Sequence, residues 1–250
     1  MTKCWITAWL LVSAAAWAQP AMAPPQVGFV ADGARLLRPA YGLAGNFILG
    51  PAVAGRIVSE AFGGSFGLLK TDSSLSAFDS RGKLLAFMDT APGPALFAFS
   101  TGGVTALAYI SASKALVEWN GSSFVPVSIG SDAIEDLVLA IALPATEEAA
   151  LVVQRKGVVW KVSRSSQTAL IGVHAPLLVL PSGDIVYDAA GRITVRRTDA
   201  SDVRIGASLP ARFSLQQMNR EWVQLTDLLG SARFAIRTTP GRESFYTLPE

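Results

Sequence analysis

The sequence predicts an all-β chain, folded as a β-propeller of six blades with about four short antiparallel strands each. Three observations predict it. Short apolar runs recur along the chain, several of them alternating apolar and polar residues at the period of a strand with one wet face. Turns containing glycine join these runs in pairs, as in a β-hairpin, because glycine tolerates the positive φ of a tight turn. The turn glycines Gly45, Gly82, Gly121, Gly157, Gly191 and Gly230 are spaced by 37, 39, 36, 34 and 39 residues. Such a fixed period is the mark of a repeat architecture, here somewhat below the roughly 40–45 residues of a usual blade.

Each period supplies its strands in order. Ahead of the hairpins lie Val27 to Val30, Phe66 to Leu69, Ala106 to Ile110, Leu137 to Leu143, Leu177 to Leu180 and Phe213 to Gln216. These are apolar on both faces, as expected of strands crowded near an axis. The hairpins follow, for example Ala115 to Trp119 with Phe124 to Val127, and Asp184 to Tyr187 with Ile193 to Arg196. Behind them come outer runs at Ala95 to Phe99, Thr168 to Val173, Val203 to Ala207 and Ser244 to Leu248. Ser131 to Leu143 also reads as a helix capped by Asp132, although Leu137 to Leu143 suits a buried strand equally. The competing architecture is a β-sandwich or barrel.

Residues 1–18 read as a signal peptide: Lys3, then an apolar stretch from Trp5 to Ala16, then the small-x-small site Ala16-Trp17-Ala18. The stretch is shorter than the roughly 20 residues that span a bilayer. The expected mature chain begins at Gln19, with a proline-rich lead-in over 19–26 and one propeller domain over 27–250. It is exported, periplasmic or extracellular, with no membrane span after cleavage. Cys4, the only cysteine, lies inside the signal, so disulfides and cysteine metal sites are excluded from the mature chain. Half of the residues are hydrophobic and 16% are charged, which argues against disorder. The formal charge of +2 is close to balance and gives no reason to expect nucleic acid as a partner.

The strand order, and phrases such as Leu180-Pro181-Ser182-Gly183-Asp184-Ile185-Val186-Tyr187, resemble bacterial exported β-propellers of the NHL and WD40-like kind. The resemblance is one of pattern and covers Gln26 to Glu250. The Gly-His and Trp-Asp pairing of WD40 repeats is absent. Gly63-Gly64 and Gly102-Gly103 are similar to kelch diglycines, but the aromatic residues that follow in kelch repeats are not repeated. The resemblance implies a fold and no function, since one fold hosts many.

No residue cluster forms a catalytic or metal-binding signature. His174, the only histidine, falls between blades and reads as a structural or solvated residue. Ser111-Ala112-Ser113-Lys114 matches S-x-x-K but lies between strands, whereas that chemistry needs a helix start. Asn120-Gly121-Ser122 is an N-x-S sequon and equally a hairpin turn. Asp32, Asp72, Asp79, Asp89, Asp184, Asp188 and Asp227 sit near strand ends and read chiefly as turn residues. Alternatively, some of them would meet at a central mouth, with or without calcium. Arg196, Arg233 and Arg237 are placed on exposed strand faces, and Trp119, Trp160 and Trp222 in blade packing. The expected function is therefore a non-enzymatic binding or scaffolding module, monomeric and without cofactor, whose partner is a protein or a cell-envelope polymer. The alternative is a propeller hydrolase or lyase acting on a sugar, lactone or glycan through central carboxylates.

Overall fold

The computed structural model describes residues 24–43, 45–128, 135–145, 148–206 and 208–249. The expected signal peptide, most of the lead-in and the start of the stretch Ser131 to Leu143 lie outside them. The described residues form six four-stranded antiparallel sheets arranged as a six-bladed β-propeller, with no helix among them longer than a single turn.

Blade 1 holds β1 (Gln26–Ala31), β2 (Leu36–Leu43), β3 (Asn46–Leu49) and β4 (Ala54–Gly55). Blade 2 holds β5 (Ser59–Phe62), β6 (Phe66–Lys70), β7 (Ser74–Asp79) and β8 (Leu84–Asp89). Blade 3 holds β9 (Ala95–Phe99), β10 (Ala106–Ile110), β11 (Ala115–Trp119) and β12 (Phe124–Pro126). Blade 4 holds β13 (Leu137–Ala142), β14 (Ala150–Arg155), β15 (Val158–Ser163) and β16 (Gln167–Ala169). Blade 5 holds β17 (Leu177–Val179), β18 (Ile185–Asp188), β19 (Ile193–Arg196) and β20 (Asp202–Ile205). Blade 6 holds β21 (Phe213–Gln217), β22 (Trp222–Asp227), β23 (Arg233–Arg237) and β24 (Ser244–Thr247).

Blades 2 to 6 are simple meanders whose first strand lines the axis and whose fourth lies outermost. The turn glycines do not all mark the same hairpin. Gly82 and Gly121 join the third strand of a blade to the outer one, and Gly45 joins β2 to the outer β3 of blade 1, whereas Gly157, Gly191 and Gly230 join the second strand to the third. The strand positions expected for the first half of the chain are thus shifted by one. Phe66 to Leu69 and Ala106 to Ile110 belong to second strands, and Ala95 to Phe99 is the inner strand of blade 3 rather than the outer run of blade 2. Five of the six glycines adopt positive φ; Gly230 does not, because its loop is longer and sets it against the Asp227 carboxylate. Leu137–Ala142 is a strand, as the alternative reading of that stretch had it.

Blade 1 departs from the others. β3 and β4 pair with opposite ends of β2, so they are two pieces of one interrupted outer strand. The Val27 carbonyl accepts a hydrogen bond from Asn219, beyond the end of β21, while Ala31 meets Glu60 near the start of β5 and Arg233 at the start of β23. β1 therefore runs opposite to β5 and β21, in the direction of a second strand. Val27 to Val30 is not an inner strand, and Gln26, assigned to the lead-in, opens β1. Among the described residues the inner position of blade 1 has no strand, and β21 and β5 meet each other directly at the axis.

Apolar clusters lie at each of the six blade-to-blade interfaces, since every sheet is wide enough to bury both faces. Between blades 3 and 4, Ala98, Leu107 and Leu116 pack on Ile141, Leu151 and Val162. Between blades 5 and 6, Leu178, Val186 and Val195 pack on Phe213, Val223 and Leu225. The ring closes where Val30, Ala40 and Phe47 of blade 1 meet Met218, Trp222 and Leu248 of blade 6. Trp119 and Trp222 are buried at such interfaces and Trp160 packs at their edge, as expected.

Gly28 sits on this closing seam. A Cβ there would lie 2.5 Å from the Met218 carbonyl oxygen, a backbone atom that cannot swing away. Gly28→Ala is expected to lower the unfolding free energy by about 1–3 kcal/mol, the range of core overpacking, as read from urea denaturation. An unchanged midpoint would show that the seam is not tightly packed.

Candidate functional site

Alternation along β5 places the central side chain. Ser59 and Ala61 face blade 3, where the Ser59 hydroxyl accepts a hydrogen bond from the Ala95 amide at 3.2 Å. Glu60 and Phe62 consequently face blade 1. Phe62 stacks on Phe29 with ring centroids 4.5 Å apart. Glu60 is 4% exposed and accepts the Ala31 amide at 3.2 Å. That amide lies on the edge of β1 that an inner strand would otherwise pair. The same edge is capped by Arg233, which donates to the Ala31 carbonyl at 3.0 Å, and by Asn219 at the Val27 carbonyl.

The absent strand leaves a cleft of about 450 Å³ between blades 6, 1 and 2. Its walls are Ser214 and Gln216 of β21, Gln224 and Thr226 of β22, Glu60 of β5 and Arg233 of β23. The loops 32–35 and 228–232 form its rim. An axial lumen of about 310 Å³ adjoins it, and Glu60, Ser214 and Gln216 line both. The rest of the lumen is largely apolar, with Leu96, Leu139 and Leu177 on its wall.

At the opposite mouth, the loops between inner and second strands are tied across the axis. Ser65 Oγ donates to the Gly103 carbonyl at 2.6 Å, and Thr101 Oγ1 to that of Pro181 at 2.7 Å. Arg220 Nη2 reaches from blade 6 to the Gly102 carbonyl of blade 3 at 2.7 Å.

Most carboxylates named from sequence hold their own turns. Asp79 accepts the amides of Arg81 and Lys83, Asp188 that of Gly191, and Asp227 that of Leu229. Asp32 accepts the amides of Ala34 and Leu36 and the Arg38 guanidinium at 2.6 Å. Burial opposes its ionisation, but these bonds outweigh burial and hold its pKa below the ordinary carboxylate value. Asp184 joins Arg197, which also bonds Glu243 and the Thr238 carbonyl and so couples blade 5 to blade 6. Asp89 is exposed at the end of β8, and Asp72 lies in the turn after β6. Asp32 and Asp227 come together at the cleft. No group of three or more His, Asp or Glu side chains that would hold a metal occurs among the described residues.

His174 is exposed between blades 4 and 5. Ser111 and Lys114 occupy a turn, with the Lys114 ammonium 3.6 Å from Glu135 and in no arrangement with Ser111. The Asn120 side chain accepts the amides of Ser122 and Ser123, as in a hairpin turn. The exposed placement of the arginines needs correction. Arg233 is buried, because its guanidinium bridges the carbonyls of Ala31 and Pro249. Arg196 and Arg237 are half-buried, the first over Tyr187 and bonded to Asp202, the second over Trp222 and bonded to Glu221. Glu60, Ser214, Gln216, Gln224 and Thr226 were not singled out from sequence.

No protein-family model and no curated protein matches the sequence. Solved structures do match in shape. A chain of a nidogen/laminin complex aligns with a TM-score of 0.57 at 9% identity, over 88% of this chain and 97% of that one. TolB from Acinetobacter baumannii aligns with a TM-score of 0.53 at 11% identity, over 89% of this chain and 66% of that one. At these identities the likeness is one of fold alone.

Burial pushes the Glu60 carboxyl up to about 7 from 4.5, against the smaller opposing effect of the Ala31 hydrogen bond. The folded state then holds this proton more tightly than the unfolded one. The stability it contributes is complete below pH 4.5 and is lost as the pH rises to about 7. The loss is on the order of 3 kcal/mol at most. Glu60→Gln is expected to remove this fall, so that its advantage over the parent grows between pH 5 and pH 8 in urea unfolding. Parallel curves for the two proteins would rule out a buried, proton-retaining Glu60.

Proposed function

We propose that this chain is a non-enzymatic binding module, exported to the periplasm or cell exterior once residues 1–18 are removed, with residues 27–250 acting as one monomeric domain. The observation that carries the reading is the state of the carboxylates at the cleft. Among the described residues, Asp32 and Asp227 are engaged in holding their own loops, which leaves Glu60 without a second free carboxylate at the cleft to share acid–base work. Hydrolysis of a sugar or lactone by paired carboxylates needs two such groups with separate roles. The cleft instead supplies amides, hydroxyls and a guanidinium, which hold a ligand without transforming it. A ring of this shape also occurs in the nidogen/laminin complex, an assembly of proteins. The envisaged partner is a protein or a polymer of the cell envelope.

The enzymatic alternative draws on one observation, the Glu60 carboxyl titrating at about 7, suited to a general acid.

The test is thermal unfolding of residues 19–250 with EDTA, calcium, sugars, lactones and peptidoglycan fragments, joined to affinity capture from cell-envelope extracts. Any species that binds only the folded ring raises the midpoint by mass action. The expected result is a raised midpoint or a saturable captured species, with every panel compound recovered unchanged. Turnover of a sugar or lactone that stops in Glu60→Gln would transfer the case to the enzyme. A panel and extract without any binder would defeat the binding reading.

A further inference from the structure

The inner half of blade 6 is polar on a face where blades 3 and 5 are apolar. On the side facing the next blade, blade 3 presents Ala98 and Leu107, and blade 5 presents Leu178 and Val186. At the matching place blade 6 presents two adjacent cross-strand pairs, Ser214 opposite Thr226 and Gln216 opposite Gln224. The outer part of the same face returns to the usual composition, with Trp222 and Ala235 in the apolar cluster that closes the ring. The polar facet therefore coincides with the place left by the absent strand.

Within the facet, Gln224 is 2% exposed and its amide donates to Thr226 Oγ1 at 2.9 Å. Among the described residues, no side-chain hydrogen bond engages Ser214 or Gln216, and only one oxygen of Glu60 has a partner. Ser214 and Gln216 are half-buried and line both the cleft and the lumen, so their polar groups are open to a molecule that enters. Ile57, Val58 and Leu228 form an apolar side of the same cleft, and Leu228 stands 55% exposed at its rim.

We propose that this cleft binds a single neutral, hydroxyl-rich molecule of sugar size, held by Gln216, Gln224, Ser214, Thr226 and Glu60 and resting its C–H face on Val58 and Leu228. The proposal rests on the binding reading above and names its ligand class. Hydroxyl groups both donate and accept, which matches a facet of amides and hydroxyls. A strong net charge is not called for, because Arg35 and Arg233 are set against Asp32 and Asp227 around the cleft, and the one acid left over is Glu60, whose carboxyl burial pushes up to about 7. Its volume of about 450 Å³ falls in the range of small-molecule sites. An extended peptide paired to β1 fits less well, because Glu60, Arg233 and Asn219 already cap that edge.

The experiment is isothermal titration of residues 19–250 with glucose, N-acetylglucosamine, maltose, trehalose and inositol, repeated with Gln216→Leu and Gln224→Leu. Both variants give blade 6 the apolar character that blades 3 and 5 have at this place. The expected result is one site per chain for at least one compound, weakened by about tenfold or more in each variant, the effect of one lost buried hydrogen bond. Their thermal midpoints are expected to equal or exceed that of the parent, as when polar groups serve binding rather than stability. Variants that melt several degrees lower would make the facet structural and overturn the proposal. So would binding that both variants leave intact. If none of the five compounds binds while the envelope screen yields a partner, the ligand class is wrong and the binding reading survives. If neither experiment yields a binder, both fall.

Discussion

A ring of separate sheets must close on itself, and here the closing contact is made by side chains. Every blade is built from consecutive strands, so among the described residues no strand of one end completes the sheet of the other. What joins blade 6 to blade 1 is the packing of Val30, Ala40 and Phe47 on Met218, Trp222 and Leu248. Edge contacts among Phe47, Trp222 and Tyr246, with ring centroids 5.7 to 6.2 Å apart, add to it. Such pairs contribute about 0.5–1.5 kcal/mol each beyond the area they bury. Arg233 then fastens the seam near the axis, holding the carbonyls of Ala31 and Pro249 with one guanidinium. Gly28 lets the two backbones approach closely enough for these contacts to form. Beside this seam the cleft occupies the place of the strand that blade 1 lacks, and alternation along β5 turns Glu60 toward it.

The blade count was legible in the sequence because it rests on a period, and a period survives local irregularity. Strand positions within the blades were less so. Positive φ at Gly82 and Gly191 reports a tight turn, and both turns are tight; nothing in φ says which two strands the turn connects. The inner strand Ala95–Phe99 and the second strand Ala106–Ile110 are both apolar and buried nearly throughout, so composition does not rank them either. The missing inner strand of blade 1 was beyond reach for the same reason. Val27 to Val30 has the composition of an inner strand, and only its direction relative to β5 and β21 shows that it is not one.

The candidate site was half legible. Asp32 and Asp227 were singled out as turn carboxylates, and they do hold turns; that these two turns share a rim is a matter of three-dimensional closure. Glu60 carried a signal that went unused: a lone acid between Val58 and Ala61, in a segment otherwise apolar or small. The facet carried another, since Gln216 and Gln224 stand where blades 3 and 5 hold Ala, Val and Leu. Polar residues at the apolar phase of a strand are a departure from pattern, and such departures gather at functional places. The arginines were misjudged because alternation assigns a face without saying whether the neighbouring blade covers it. Arg233 lies on a face that blade 1 covers.

The bonds that Arg220, Thr101 and Ser65 make across one mouth tie blades 2, 3, 5 and 6 to one another at that end. At the other end the loops that carry Asp32 and Leu228 edge the cleft. The two faces of the ring are therefore unlike: one is braced crosswise by side chains, and the other is bordered by loops. A large partner settling on the loop-bordered face would cover whatever lay in the cleft beneath it.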